Sequence, residues 1–207
     1  MSKKDRIATL RKKDLDANPF TQFEIWFQEA WAAKIQLAHA MTLATADKEG
    51  IPSARMVLLK GVDERGFVFY SNHESQKGRE LAQNPNAALV LYWRELNRQV
   101  RITGPVSKVS DEESVAYFRS RPLGSRLGAW ASRQSEVIPN YEVLVERVEA
   151  LEEQYQGQDI PLPPYWGGFR VIPNMIEFWE SRVNRLHDRF RYRRQPDGAW
   201  LLERLSP

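Results

Sequence analysis

Apolar residues recur at helical intervals near the start of the chain and then switch to alternation. Phe23, Trp26, Phe27, Ala30 and Trp31 follow one another in helical steps, the spacing that places side chains on one face of an α-helix. Order begins near Asn18-Pro19. Thr21 and Glu24 have capping-box spacing, and Phe20 and Ile25 are placed for a hydrophobic staple. From Ala40 the period becomes two. Ala40 to Ala46, Pro52 to Lys60, Phe67 to Tyr70, Ala87 to Trp93 and Arg98 to Lys108 read as strands, with Asp47-Lys48-Glu49-Gly50 and Asp63-Glu64-Arg65-Gly66 as turns. A short helix is expected after Ser75, another after the Ser110 and Glu113 capping pair, and a longer one over Pro139 to Gln156. An irregular Gly/Ser/Arg segment separates the last two. Beyond the Pro-rich stretch Pro161 to Pro164, strand character returns over Tyr165 to Ile172, Met175 to Arg182, Asp188 to Arg194 and Ala199 to Arg204, with Pro196-Asp197-Gly198 as a turn.

Short connections between early strands require antiparallel pairing. Strands early, helices in the middle and strands late therefore indicate a mainly β protein, an antiparallel barrel with peripheral helices. No Gly-x-Gly-x-x-Gly turn follows a strand, which argues against a dinucleotide-binding parallel sheet. Residues 1–16 are polar and charged and are expected to form a flexible arm ahead of a single domain over 17–207.

Composition changes this picture only at the margins. Lys+Arg 30 against Asp+Glu 27 gives a net charge of +3 over 207 residues, too little for a protein that coats nucleic acid. Cysteine is absent, so disulfides, thiolate nucleophiles and Cys-ligated metals are excluded, and redox work would need a borrowed cofactor. The N-terminus has no apolar signal core and no run suits a membrane span, so a cytoplasmic protein without membrane partners is expected.

The candidate chemistry falls into four groups. Arg55 and Lys60 punctuate an otherwise apolar strand, where a bound phosphate would partner them unless both simply face solvent at the strand ends. Tyr70 and Ser71, with Ser75-Gln76-Lys77 at a helix start, offer hydroxyls, backbone N–H groups and a cation, although any capped helix looks similar. Tyr117, Arg121, Ser125 and the run Gly128 to Ser135, including Gln134 and Ser135, alternate polar groups with small residues, as a phosphate pocket or a solvated loop would. The fourth group joins Gln99 to the Arg/aromatic stretch 176–194, with Trp179, Arg185, His187 and Arg189; guanidinium groups both grip anions and stack on rings. An Arg-rich hairpin face is the plain alternative. His39 and His73 read as structural, and nothing has metal-ligand spacing.

Taken in order, Arg55-Met56-Val57-Leu58-Leu59-Lys60, Arg98-Gln99-Val100, Ser120-Arg121-Pro122, Gly128-Ala129-Trp130, Trp166-Gly167-Gly168-Phe169-Arg170, Glu177-Phe178-Trp179 and Arg185-Leu186-His187-Asp188-Arg189 resemble the pyridoxamine 5'-phosphate oxidase family, from about Asp14 to Pro207. The resemblance implies an FMN-binding split β-barrel, a homodimer with two FMN at the subunit interface, and oxidation of pyridoxamine and pyridoxine 5'-phosphates to pyridoxal 5'-phosphate with dioxygen reduced to hydrogen peroxide. It assigns FMN to Arg55, Lys60, Tyr70, Ser71, Gln76, Lys77, Gln99, Gln134, Ser135, Trp179 and Arg189, some from the partner chain. It assigns the substrate phosphate to Lys60, Tyr117, Arg121 and Ser125, and the pyridine ring to Arg185 and His187 as the catalytic pair. Two positions depart from the family pattern: Gln76 stands where the family has Arg, and Ser2-Lys3-Lys4-Asp5 lacks the family's Arg/Tyr-containing arm. A flavin- or haem-binding barrel without oxidase activity is the alternative.

Overall fold

The computed structural model describes residues 10–207. Within them, helix α1 (Pro19–Ala32) precedes strands β1 (Ala40–Ala46) and β2 (Pro52–Leu58). Strands β3 (Gly61–Asp63) and β4 (Gly66–Asn72) form a hairpin. Helix α2 (Gln76–Gln83) leads to β5 (Asn86–Trp93) and its antiparallel neighbour β6 (Arg98–Lys108). Helices α3 (Asp111–Ser120), α4 (Leu123–Ala131) and α5 (Glu142–Gln154) follow. Strands β7 (Trp166–Val171), β8 (Met175–Glu180), β9 (Asp188–Arg194) and β10 (Trp200–Arg204) complete the fold.

The strands form one antiparallel sheet with a branch at β6. Its first part pairs with β8 and its last three residues with β7, so the order runs β10-β9-β8-β6-β5-β1-β2 along one arm and β6-β7-β4-β3 along the other. The curl closes at a single crossing. Leu59 N–H donates to His39 O and Lys60 N–H to Val68 O, each at 2.8 Å. The chain thus leaves β1 and joins β4 within two residues. The sequence reads 52–60 as one strand; it breaks after Leu58 because the pairing partner changes while the alternation does not. The barrel is therefore split, with a mouth beside β2.

Fully buried Met41, Leu43, Leu89, Leu91, Val100, Ile102 and Phe178 fill the inside of the curl. Helix α1 lays Phe23 and Trp26 onto it, edge-on to Phe67 and Phe178 at 5.0 and 5.1 Å, an aromatic geometry that adds to plain burial. Its cap is Asn18, whose side chain accepts from Phe20 N–H at 2.9 Å, with Pro19 in the first turn. Thr21 is not the cap, since Pro19 already satisfies the first helical position without an N–H. Ile25 is exposed and Phe20 stacks on Phe67 instead. A second, smaller core of Phe118, Leu127, Ile160 and Trp166 seats α3 and α4 against the barrel mouth. Helix α4 occupies the segment read as irregular: Pro122 ends one helix and sits at the cap of the next.

Residues 1–9 lie outside the described residues, so the departure at Ser2 to Asp5 does too. Residues 10–16 lie against the barrel: Leu10 N–H donates to Asp188 Oδ2 at 3.0 Å, and Tyr192 Oη donates to Asp16 O at 2.6 Å. No described helix is long and apolar enough to cross a membrane.

His73 sits in the turn before α2 with Nε2 buried and unpartnered among the described residues, its ring edge-on to Phe169 at 5.0 Å. Burial, helped by Lys108 and opposed by Asp111, pushes its pKa from 6.5 down to about 4. Between these values the unfolded chain takes a proton that the folded chain refuses, so stability present above pH 6.5 is lost as pH falls towards 4. His73→Leu is expected to remove this part of the acid sensitivity. Melting temperatures of both proteins between pH 7 and 4 check it, and parallel curves would refute it.

Candidate active site

The barrel mouth opens into a cleft of about 770 Å³ lined by β2, β4, the start of α2, the end of α3, and α4 with the loop that follows it. At one end, helix α2 begins at Ser75, whose hydroxyl accepts from Gly78 N–H. A Cβ at residue 78 would lie 2.0 Å from His73 O, so glycine there lets the helix start close beneath the turn. This places Lys77, 6% exposed, inside the cleft wall. Its ammonium donates to Ser75 Oγ at 3.2 Å and Gln134 Oε1 at 3.0 Å, leaving one of its three protons for a ligand. Burial, then the neighbouring Arg55 cation, lowers its pKa to about 8, with Glu80 pulling partly back.

Arg55 reaches the same end from β2. Its guanidinium contacts Thr45 Oγ1 and Ser53 Oγ and pairs with Glu80 Oε2 at 3.2 Å. Glu80 also accepts from Ser53 Oγ at 2.7 Å and Gln76 Nε2 at 2.8 Å. Burial alone would raise its pKa; these hydrogen bonds, with that from Thr45 and the Arg55 charge, bring it down to about 2. The carboxylate is thus a permanent anion that orders the cationic end. Sequence reasoning missed Glu80 because a Glu on a short amphipathic helix reads as a solvated face. Ser71 Oγ donates to Gln134 Oε1 at 3.1 Å, and Gln76 N–H to Ser135 Oγ at 3.1 Å. The loop after α4 therefore folds back onto α2.

The other end is aromatic. Tyr70 and Tyr117 stack at 3.9 Å, and Trp166 lies nearly parallel to both. Gly168, opposite Tyr70 in the β4–β7 register, makes room, since a Cβ there would fall 2.8 Å from the Tyr70 ring. Arg121 lies over Trp166 at 4.6 Å, and Lys60 over Tyr117 at 5.9 Å. Arg121 Nη1 is buried without a hydrogen-bond partner among the described residues. Burial lowers its pKa, with Tyr117 opposing. A half-buried cation with a donor shut away from water suits an anion, and Ser125 lines the same cleft.

Gln99, Trp179, Arg185, His187 and Arg189 do not line this cleft. Gln99, Trp179 and Arg189 form one row across β6, β8 and β9, on the sheet face opposite buried Val100, Phe178 and Phe190. Glu177, 3% exposed, holds Arg189 Nε at 2.7 Å and Arg101 Nη1 at 3.3 Å. That hydrogen bond, outweighing burial, raises the Arg189 pKa. Met56, Leu58 and Tyr92 leave large apolar surface exposed.

An opened antiparallel barrel whose mouth carries two cationic ends around an aromatic wall defines a protein of the split-barrel class. A family model described as pyridoxamine 5'-phosphate oxidase matches residues 27–155, and one described as the pyridoxine 5'-phosphate oxidase C-terminal dimerisation region matches 166–207. The chain is 57% identical over 202 residues to the pyridoxine/pyridoxamine 5'-phosphate oxidase of Acaryochloris marina (strain MBIC 11017), covering 98% of this chain and 92% of that protein. It is 58% identical over 198 residues to the enzyme of the same name from Gloeothece citriformis (strain PCC 7424), covering 96% and 92%. A crystal structure of PhzG from Burkholderia lata 383, in complex with tetrahydrophenazine-1-carboxylic acid, superposes with a TM-score of 0.90 at 31% identity, covering 97% of this chain and 99% of that one. A pyridoxamine 5'-phosphate oxidase-related, FMN-binding protein from Nostoc punctiforme PCC 73102 shares the fold, with a TM-score of 0.74 at 19% identity over 93% of this chain and 100% of that one. The chain belongs to the pyridoxamine 5'-phosphate oxidase family.

Proposed function

We propose that this protein is an FMN-dependent oxidase that converts pyridoxine 5'-phosphate and pyridoxamine 5'-phosphate to pyridoxal 5'-phosphate, with dioxygen as electron acceptor and hydrogen peroxide as by-product. The observation that carries the substrate is the second anion grip: Arg121, half-buried over Trp166, with its buried Nη1 unpartnered among the described residues. A protein that only stores a flavin needs one phosphate site. The first grip, with Arg55, Lys77, Ser71, Gln76, Gln134 and Ser135 around the start of α2, fits the FMN phosphate, and Tyr70 borders it. Gln76 contributes a neutral amide held by Glu80, so the cationic work there falls to Arg55 and Lys77.

The exposed apolar face at Met56, Leu58 and Tyr92 suits a homodimer, and the match to a dimerisation region over 166–207 supports one. In that assembly Gln99, Trp179 and Arg189 of one chain would complete the FMN site of its partner, and Arg185 and His187 would face the partner's substrate. Bound FMN supplies a two-electron acceptor that dioxygen can reoxidise. The chain's own residues do the positioning. Lys60, Tyr117, Arg121 and Ser125 hold the substrate phosphate, remote binding energy that orients the reacting carbon. Arg185 covers the pyridine ring and His187 fixes its substituents. A cytoplasmic location accords with the cysteine-free chain.

The test is the visible spectrum of FMN-loaded protein mixed anaerobically with pyridoxine 5'-phosphate, followed by air. Bleaching, then recovery with peroxide, is expected. Flavin that binds but is not bleached by this substrate or by pyridoxamine 5'-phosphate would leave a binding module.

A further inference from the structure

Between β8 and β9 the chain reverses through Asn184 and Arg185, both in the left-handed region with φ of 58° and 60°. Asn adopts this region readily, whereas Arg stays there only where its surroundings impose it. Arg182 supplies a brace. Its Nη2 lies 2.7 Å from Glu180 Oε1 and its Nε 2.7 Å from Asp188 Oδ2, so one guanidinium joins the last residue of β8 to the first of β9. Both anchors are fixed in turn. Glu180 accepts from Arg98 Nε at 3.0 Å, and Arg98 is bridged to Glu29 of α1. Asp188, 1% exposed, also holds Arg204 and the Leu10 amide.

Inside this brace the Arg182 backbone N–H donates to His187 Nδ1 at 3.0 Å. A ring nitrogen that accepts carries no proton, so the imidazole proton sits on Nε2. The Trp179 ring, centred 4.7 Å away, limits ring rotation. Arg185 is exposed and makes no hydrogen bond or ion pair with another described residue, which leaves its guanidinium for a ligand.

Resting on the function proposed above, we propose that Arg182 is a positioning residue. Clamped between Glu180 and Asp188, it holds the left-handed turn that presents Arg185 and fixes His187 with Nε2–H as the group offered to the substrate. Nothing in this role requires Arg182 to touch substrate or cofactor.

The experiment uses the FMN-loaded full chain, with Arg182→Ala, Arg182→Gln, Arg182→Lys, Arg185→Leu and the Arg182→Ala/Arg185→Leu double variant. Arg182→Ala and Arg182→Gln are expected to lower kcat/KM for pyridoxine 5'-phosphate about tenfold with FMN affinity unchanged, and Arg182→Lys to recover part of the loss. The double variant should lose less than the product of the two single losses, because the part of the Arg182 effect that runs through Arg185 is already gone in Arg185→Leu. Hydrogen exchange at the Arg182 amide, slow in the parent, should quicken at least tenfold in Arg182→Ala. Multiplying losses in the double variant, full activity in Arg182→Ala, or unchanged amide exchange would each overturn the proposal. If the parent itself does not oxidise pyridoxine 5'-phosphate, the functional reading fails, while amide exchange still decides the brace.

Discussion

Arg121→Ala is expected to raise the KM for pyridoxine 5'-phosphate about 10- to 100-fold while leaving FMN affinity unchanged. The guanidinium lies over the ring face of Trp166 and has no carboxylate partner among the described residues, yet Nη1 is shut away from water. Asp159 pairs with Arg119 and Arg126 instead. In the ligand-free chain Arg121 therefore bears an uncompensated desolvation cost, which a substrate phosphate would relieve. Losing hydrogen bonds between charged groups costs about 1.5–3 kcal/mol, and each 1.4 kcal/mol is a factor of about ten in affinity. Arg121→Lys should restore only part, since an ammonium has neither the planar stacking face nor the two-pronged donor. Steady-state kinetics with FMN titrations on the same variants decide it. Equal KM in the alanine variant and the parent would remove Arg121 from the phosphate pocket; a fall in kcat alone would assign it a different role.

Some of this architecture is written locally and some is not. Strands β1, β6 and β9 run over the residues at which alternation begins and ends, because each is bounded by turn residues or by a change of period. The break between β2 and β3 leaves no such mark. It arises from a change of hydrogen-bonding neighbour, from β1 to β4, some distance away in sequence. Helix α4 was hidden for a different reason: Gly124, Ser125 and Gly128 lower helix propensity, and its stability comes from burying Leu127 and Ala131. Cations on an apolar strand and polar groups at a helix start marked Arg55 and Lys77 in the sequence. Their organiser, Glu80, could not be seen there, because Thr45, Ser53 and Arg55 reach it only once β1, β2 and α2 have packed. The separation of Gln99, Trp179 and Arg189 from the cleft is a matter of register: one strand face carries them outward, beside surface that a second copy would cover.

FMN binding is expected to weaken as pH rises through about 8, and Lys77 is the reason. Its pKa, lowered to about 8 by burial and by Arg55, means that the free protein carries a full ammonium near neutral pH and loses it within the accessible alkaline range. A phosphate needs the charged form, so binding must bring a proton whenever Lys77 has lost its own, and affinity falls by up to tenfold per pH unit above that value. Glu80, with its pKa near 2, stays ionised across this range and cannot produce the effect. FMN titrations from pH 7 to 9.5 should show a rise in Kd of up to about 30-fold, whereas riboflavin, which lacks the phosphate, should bind with a nearly flat profile. Lys77→Met should weaken FMN about 10- to 100-fold at pH 7, the size of a lost charged hydrogen bond, and should flatten the pH dependence. A steep profile that survives in Lys77→Met would place the titrating group elsewhere. A flat profile in the parent would mean that the phosphate does not sit against Lys77 at all.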